Sequence, residues 1–201
     1  MRPTLRHILI ATLLAVFALP AAAEKISLNA LSNYLNALQS SKSTFTQINA
    51  DGTISTGEFY IKRPGRARFN YNPPEKAFVV VGGGAVAIFD GKTGSPPEQY
   101  PIGNTPLKYI LQKNLDLAKS GIVKGHSFDG TATIVSAQDP DHPQNGTIEM
   151  VFTNNPVELR QWVIRQQGGE EVTVILGDLD KSTRVPDILF NITNEISKLQ
   201  N

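Results

Sequence analysis

Residues 57–71, which read GEFYIKRPGRARFNY, constrain the fold more than any other stretch of the chain. Large apolar side chains alternate with polar ones on both sides of Pro64. Alternation with a period of two is typical of a half-buried β-strand. Proline lacks a backbone N–H and interrupts a strand ladder, and Gly65 after it favours a turn. The stretch therefore predicts two strands joined by a tight turn, and their shared apolar face contains Phe59, Ile61, Ala67, Phe69 and Tyr71.

Arg63 does not fit this pattern, because its parity places it at the end of the apolar face. A guanidinium keeps its charge in a protein and needs hydrogen-bond acceptors, which the carbonyls of a helix end or a carboxylate would supply. Alternatively, the side chain extends along the strand end and reaches water. The spacing leaves both interpretations open.

Residues 1–23 have the pattern of a secretory signal peptide. Arg2 and Arg6 give a basic start, an apolar run follows over residues 8–19, and three alanines end the segment. The apolar run is too short for a helix that spans a membrane. We expect removal of residues 1–23 and a single domain over residues 24–201.

The amino-acid composition narrows the class of protein further. The chain has no cysteine, so the exported domain has neither disulfides nor a cysteine that could carry a lipid anchor. With 19 basic and 18 acidic side chains, it lacks the strong field that would attract nucleic acid or an anionic membrane. We therefore expect no nucleic-acid partner.

Motifs that carry catalysis are missing from the sequence. There is no G-x-S-x-G elbow, no cysteine nucleophile and no H-E-x-x-H zinc pair. Residues 139–142, Asp-Pro-Asp-His, could ligate a cation, but two neighbouring prolines favour a polar loop. We predict a protein that is not an enzyme and that has no metal and no cofactor.

The remaining periodicities predict a mainly β (α+β) chain with an antiparallel sheet of about ten to eleven strands. A helix is expected at residues 28–38, with Ser27 as its N-cap. Strands are expected at residues 43–50, 54–62, 66–71, 77–81, 85–90, 122–128, 131–137, 146–153, 159–166 and 172–179. A last strand is expected at residues 188–192, followed by a polar tail or short helix at residues 195–200.

Residues 92–121 interrupt the strands. Four prolines in this stretch (Pro96, Pro97, Pro101 and Pro106) exclude a regular strand there. Thr105 and Pro106 predict the N-cap and first turn of a short helix. Its apolar face contains Leu107, Ile110 and Leu111. The pattern suits a lid over the apolar row of residues 57–71, and it equally suits a helix packed permanently on a core.

Five stretches, taken in their order along the chain, resemble the periplasmic outer-membrane lipoprotein carrier family, LolA. They are STFTQ at residues 43–47, KRPG at residues 62–65, EQYPIGNTPLKYIL at residues 98–111, LRQWVI at residues 159–164 and VPDILF at residues 185–190. The resemblance implies an unclosed antiparallel β half-barrel with short helices that lid its concave face. It also implies a monomeric periplasmic chaperone that carries triacylated lipoproteins from an inner-membrane transporter to an outer-membrane acceptor.

The same resemblance assigns roles to residues. It implies that Arg63 bonds to carbonyls of the lid helix near residues 109–111 and so latches the lid. It implies that Phe59, Ile61, Ala67, Phe69 and Tyr71 line a lipid-binding cavity, and that Leu107, Ile110 and Leu111 belong to the lid.

The chain departs from the family pattern in two places. Ala67 stands where a large apolar side chain is usual, and residues 194–201 do not match the family's C-terminal tail. The alternative function is an envelope protein that binds lipid in the same kind of half-barrel for stress sensing.

Overall fold

The computed structural model describes residues 24–200, so the predicted signal peptide lies outside the described residues. Those residues form one antiparallel sheet of 11 strands, numbered here in chain order. The strands are β1 Ser40–Ile48, β2 Ile54–Lys62, β3 Arg66–Tyr71, β4 Phe78–Gly82, β5 Ala85–Phe89, β6 Glu98–Pro101, β7 Val123–Phe128, β8 Thr133–Gln138, β9 Thr147–Thr153, β10 Glu158–Arg165 and β11 Glu171–Leu176. The antiparallel fold and the strand number predicted from the sequence are confirmed.

The order of strands across the sheet joins two meanders. It runs β6, β5, β4, β3, β2, β1, β11, β10, β9, β8, β7. All neighbours follow one another in the chain except the central pair, in which Phe45 of β1 lies opposite Leu176 of β11. The sheet therefore depends at its centre on a pairing between the two halves of the chain.

Three α-helices and three 3-10 helices accompany the sheet. The α-helices are α1 Leu28–Ala37, α2 Lys108–Leu111 and α3 Ile192–Leu199, and the 3-10 helices are Ile102–Asn104, Pro143–Asn145 and Asp187–Phe190. The Ser27 side chain accepts a hydrogen bond from Ala30 N at 3.2 Å and caps α1, as predicted.

The sheet is covered on both of its faces near β4 and β5. The main core lies on the concave face, where α1 and the segment containing α2 pack on strands from both halves of the chain. A smaller core lies on the outer face, where Ile192 and Ile196 of α3 pack against Val80, Ala87 and Phe89. A buried ion pair, from Arg68 to Glu195 at 3.2 Å, also holds α3 to this face.

Two predictions about secondary structure are wrong. Residues 98–101 form strand β6 although prolines were expected to exclude a strand there. β6 lies at the edge of the sheet and is bonded on one side only, so a missing N–H can be tolerated there. Residues 188–192 form no strand, because the Asn191 side chain accepts from Asn194 N at 2.9 Å and starts α3 instead.

Candidate functional site

A cavity of about 620 Å³ lies between the concave face of the sheet and the chain around residues 104–107. Its wall is formed by apolar and aromatic side chains from β3, β4, β5, β6, β10 and β11, namely Phe69, Tyr71, Val79, Val86, Ile88, Tyr100, Trp162, Ile164, Val172 and Val174. Thr105, Pro106 and Leu107 close it on the opposite side. The volume falls within the range of about 300–1,000 Å³ that is usual for ligand pockets.

Aromatic contacts fix the wall of the cavity. The Phe69 ring lies 4.7 Å from Phe59, 5.4 Å from Phe45 and 6.3 Å from Trp162, measured between ring centroids. The contacts with Phe45 and Trp162 are edge-to-face, an arrangement that adds to the stability given by apolar burial. The Tyr71 hydroxyl donates to Gln47 Oε1 at 2.8 Å, and burial raises the pKa of Tyr71 to about 12.

The residues predicted to line a cavity divide into two groups. Phe69, Tyr71 and Leu107 line it. The other five (Phe59, Ile61, Ala67, Ile110 and Leu111) are buried together in the adjoining core. Gly65 N donates to Leu111 O at 2.8 Å, which places the end of α2 over the β2–β3 turn. In this structure, side chains of α2 therefore fill the end of the concave face that lies nearest to that turn.

Prediction from the sequence missed the wall contributed by the second half of the chain. Trp162 and Ile164 come from β10, and Val172 and Val174 come from β11. Their alternate spacing indicates a shared face on each strand. Local pattern does not indicate that this face lies opposite β3, because the long-range pairing of β1 with β11 brings the two halves together.

The N-cap predicted for the lid helix is wrong. The structure has Leu107 at the N-cap position of α2, and no side chain caps the helix. Thr105 Oγ1 is buried without a hydrogen-bond partner among the described residues. Backbone bonds start the helix instead, since Lys108 N donates to the Thr105 carbonyl at 3.3 Å and Tyr109 N to the Pro106 carbonyl at 3.1 Å. The unpaired Thr105 hydroxyl would gain water if the segment moved, which lowers the cost of moving it.

Arg63 is buried under the segment that follows α2. Its side chain is 4% exposed, so it does not extend into water. Nη2 donates to the carbonyl of Gln112, one residue beyond the expected range of 109–111, and to Asn36 Oδ1 at 3.3 Å. Nε and Nη1 have no partner among the described residues, and burial lowers the pKa of the guanidinium. The group stays charged, so the closed arrangement contains a charge that is only partly compensated.

Helix α1 holds the chain beyond α2. Asn36 Oδ1 accepts from Leu115 N at 3.0 Å, and Asn36 Nδ2 donates to Leu115 O at 2.9 Å. Ser32 Oγ accepts from Leu117 N at 2.9 Å. Asn36 therefore links α1, Arg63 and the segment after α2.

An ion pair holds the start of α2 to the other half of the sheet. Lys108 Nζ lies 2.6 Å from Asp139 Oδ2, in the loop between β8 and β9. This bond, with backbone N–H donors from the same loop, holds the pKa of Asp139 below its usual range. The loop that could have ligated a cation is thus bonded to lysine, and the described residues contain no group of three or more potential metal ligands.

Comparison with known proteins places the chain in a family. The sequence model described as "Outer membrane lipoprotein carrier protein LolA" matches residues 36–193. An outer-membrane lipoprotein carrier protein of Methylococcus capsulatus is 29% identical over 61% of this chain and 65% of its own length. One from Cupriavidus necator is 27% identical over 58% and 61%. The matched part of this chain thus spans less than two thirds of these relatives.

Solved structures support the fold. A putative outer membrane lipoprotein-sorting protein domain from Vibrio parahaemolyticus has a TM-score of 0.52 and 8% identity, over 84% of this chain and 96% of that chain. A DUF1329 family protein from Desulfovibrio piger has a TM-score of 0.50 and 10% identity, over 83% and 95%. At such identities the likeness shows an unclosed half-barrel and nothing finer. Within residues 24–200, no helix has the length and apolar character needed to cross a membrane.

Proposed function

This chain belongs to the LolA family of outer membrane lipoprotein carriers, and from that premise we propose that it is a periplasmic chaperone for triacylated lipoproteins. It receives them from an inner-membrane transporter and delivers them to an outer-membrane acceptor. It acts as a monomer, as a single domain left by removal of residues 1–23, and without enzymatic activity.

The observation that carries the proposal is the lidded apolar cavity of about 620 Å³. Each methylene group moved from water into such a cavity contributes about 0.8 kcal/mol. A single partly buried acyl chain therefore supplies several kcal/mol. The polypeptide part of the cargo would stay outside the cavity.

The cavity becomes larger when the lid leaves. Displacement of Leu107, Ile110 and Leu111 would uncover Phe59, Ile61 and Ala67, which the lid now covers. The apolar row predicted from the sequence then completes the acyl-chain site. When no cargo is bound, the closed lid hides apolar surface that would otherwise promote aggregation.

Arg63 suits a latch that must release. One hydrogen bond to Gln112 and a longer one to Asn36 hold the segment, while two guanidinium nitrogens have no partner within residues 24–200. Opening the lid would let water reach those nitrogens, which offsets part of the bonds that are lost. A latch of this strength can be opened by a cargo, because burial of its acyl chains contributes several kcal/mol of binding free energy.

Binding of a fluorescent hydrophobic probe, displaced by a purified triacylated lipoprotein, tests the proposal. The wild-type protein should take up the probe at one saturable site. Leu107→Glu puts a charge into the cavity and should abolish uptake, whereas Ile188→Glu, at a side chain that is 51% exposed, should not. A folded protein without saturable uptake would exclude lipid binding. Transfer of bound lipoprotein to acceptor-containing membranes then tests the carrier role.

A further inference from the structure

The rim of the cavity is uncharged and rich in carboxamides. Charged residues make up 18% of the chain, yet of the described residues that line the cavity none is Asp, Glu, Lys, Arg or His. Six of the lining residues are carboxamides: Gln47, Asn104, Gln144, Asn145, Gln166 and Gln167. Surface residues around a solvent-facing opening are commonly charged, so an uncharged rim rich in carboxamides indicates a specific role in ligand binding.

Most of these carboxamides are available to a ligand. Gln166 and Gln167 lie at the exposed β10–β11 turn, and their side chains make no hydrogen bond within the described residues. The exposed side chain of Asn104 is equally unengaged there. Gln144 has only a 3.5 Å contact with a histidine nitrogen. Gln47 differs, because it is held by Tyr71 and Asn49 deeper in the site.

A carboxamide offers two N–H donors and one carbonyl acceptor without a net charge. It can therefore donate to the carbonyl of an ester or an amide. It cannot neutralise a phosphate or an ammonium group that loses part of its water on entering the rim, and that loss is costly for a charge. A rim of this kind favours neutral carbonyl-bearing head groups and disfavours charged ones of either sign.

We propose that this rim selects acyl lipids whose head group consists of neutral esters or amides. The proposal rests on the proposed function, in which the cavity holds acyl chains, and it adds the chemistry of the head group. The rim would therefore disfavour lipids that carry a phosphate or an ammonium group on the same acyl chains.

Amphiphiles that share one saturated chain and differ only in head group test the inference. The glycerol monoester, the alkylammonium and the alkylphosphate are each used to displace the fluorescent probe at neutral pH, below the concentration at which they form micelles. The monoester should bind about tenfold more tightly than either charged amphiphile. Equal binding of the three would overturn the inference and leave the proposed function standing. Failure of the probe and of every amphiphile to bind would overturn both.

Variants of Gln166 link the selectivity to the rim. Gln166→Lys should strengthen binding of the alkylphosphate, and Gln166→Glu should strengthen binding of the alkylammonium, each by several fold. Gln200→Lys and Gln200→Glu are matched controls, because Gln200 follows α3 and does not line the cavity. If the Gln166 variants alter the order of affinities no more than the Gln200 variants do, the rim does not select the head group.

Discussion

The response of the lid to substitution of Arg63 depends on two opposing contributions. The bond from the guanidinium to the Gln112 carbonyl contributes about 1.5–3 kcal/mol, and the 3.3 Å bond to Asn36 adds less. Against this, Nε and Nη1 are buried without partners among the described residues, at a cost of about 1–3 kcal/mol each. Substitution by leucine would remove both the hydrogen bonds and the cost of the unpaired buried nitrogens. Burial of the leucine side chain itself would contribute about 1.5–3 kcal/mol.

We therefore expect Arg63→Leu to hold the lid at least as firmly as the wild type does. Arg63→Lys keeps a buried charge but loses the planar fork that reaches Gln112 and Asn36. It should favour the open lid by about 1.5–3 kcal/mol, which corresponds to roughly tenfold to hundredfold faster local opening. On this reasoning, the cost of a buried charge at position 63, and not the loss of the hydrogen bond alone, determines which variant has the more open lid.

Amide hydrogen exchange across residues 105–117 of the cargo-free protein measures this opening. The α3 peptide at residues 192–199 is the internal reference, since Arg63 does not contact it. Arg66→Leu and Arg66→Lys are matched controls, because Arg66 bonds to Asp187 at the other face of the sheet. Faster exchange in Arg63→Leu than in Arg63→Lys would refute the reasoning about buried charge. Wild-type exchange in both would mean that Arg63 does not hold the lid.

Three further predictions concern the lid and the outer face. The pKa of Asp139 is depressed by Lys108, so the contribution of this pair is present above about pH 4 and is lost as the pH falls through the lower folded pKa. The protection of the lid amides, measured as exchange relative to the intrinsic rate at each pH, should fall in that acidic range, and Asp139→Asn should show the lower protection already at pH 7. Glu195→Gln leaves the Arg68 guanidinium buried without its carboxylate and should lower the free energy of unfolding by about 3 kcal/mol in denaturant titrations. Gly82→Ala would put a Cβ 2.1 Å from a carbonyl oxygen of the 3-10 helix before α3, so it should detach the C-terminal segment and expose it to limited proteolysis.

Each of these predictions has an outcome that contradicts it. Lid exchange in Asp139→Asn that equals the wild type at neutral pH would show that the ion pair does not tether the lid. An unchanged denaturation midpoint for Glu195→Gln would mean that water already reaches the Arg68 pair. A protease-resistant C-terminus in Gly82→Ala would show that the 3-10 helix can shift to accept a methyl group.

Local sequence pattern was sufficient to predict the strands that are bounded by prolines and glycines. β2 and β3 have the predicted bounds, residues 54–62 and 66–71, because alternation and the Pro64–Gly65 turn act within the same short part of the chain. The cavity was not predictable in this way. Its wall combines Phe69 of β3 with Trp162 of β10, and only the long-range pairing of β1 with β11 fixes their proximity.

The errors arise where two local signals compete. Ile188, Phe190 and Ile192 alternate as a strand would, but Asn191 between them caps α3, and the capping bond prevails because the segment lies over the outer face of the sheet. Parity placed Arg63 at the end of the apolar face but left open whether its side chain is buried or reaches water, and the structure buries it. Its acceptor on Gln112 was not predictable from spacing, because the lid segment approaches from a distant part of the chain.

The strand order determines when, during synthesis, each part of the sheet can form its pairings. Of the described strands, β1 is synthesised first and its partner β11 last, and α3, which covers the outer side of β4 and β5, follows β11. The first meander therefore has one flank unpaired and its outer apolar cluster uncovered until β11 and α3 have been synthesised. Pairing across such a separation is slow, and the waiting intermediate is prone to aggregate. A nascent chain of this topology depends more on being kept unfolded until release than a protein of the same size whose neighbouring strands are all consecutive.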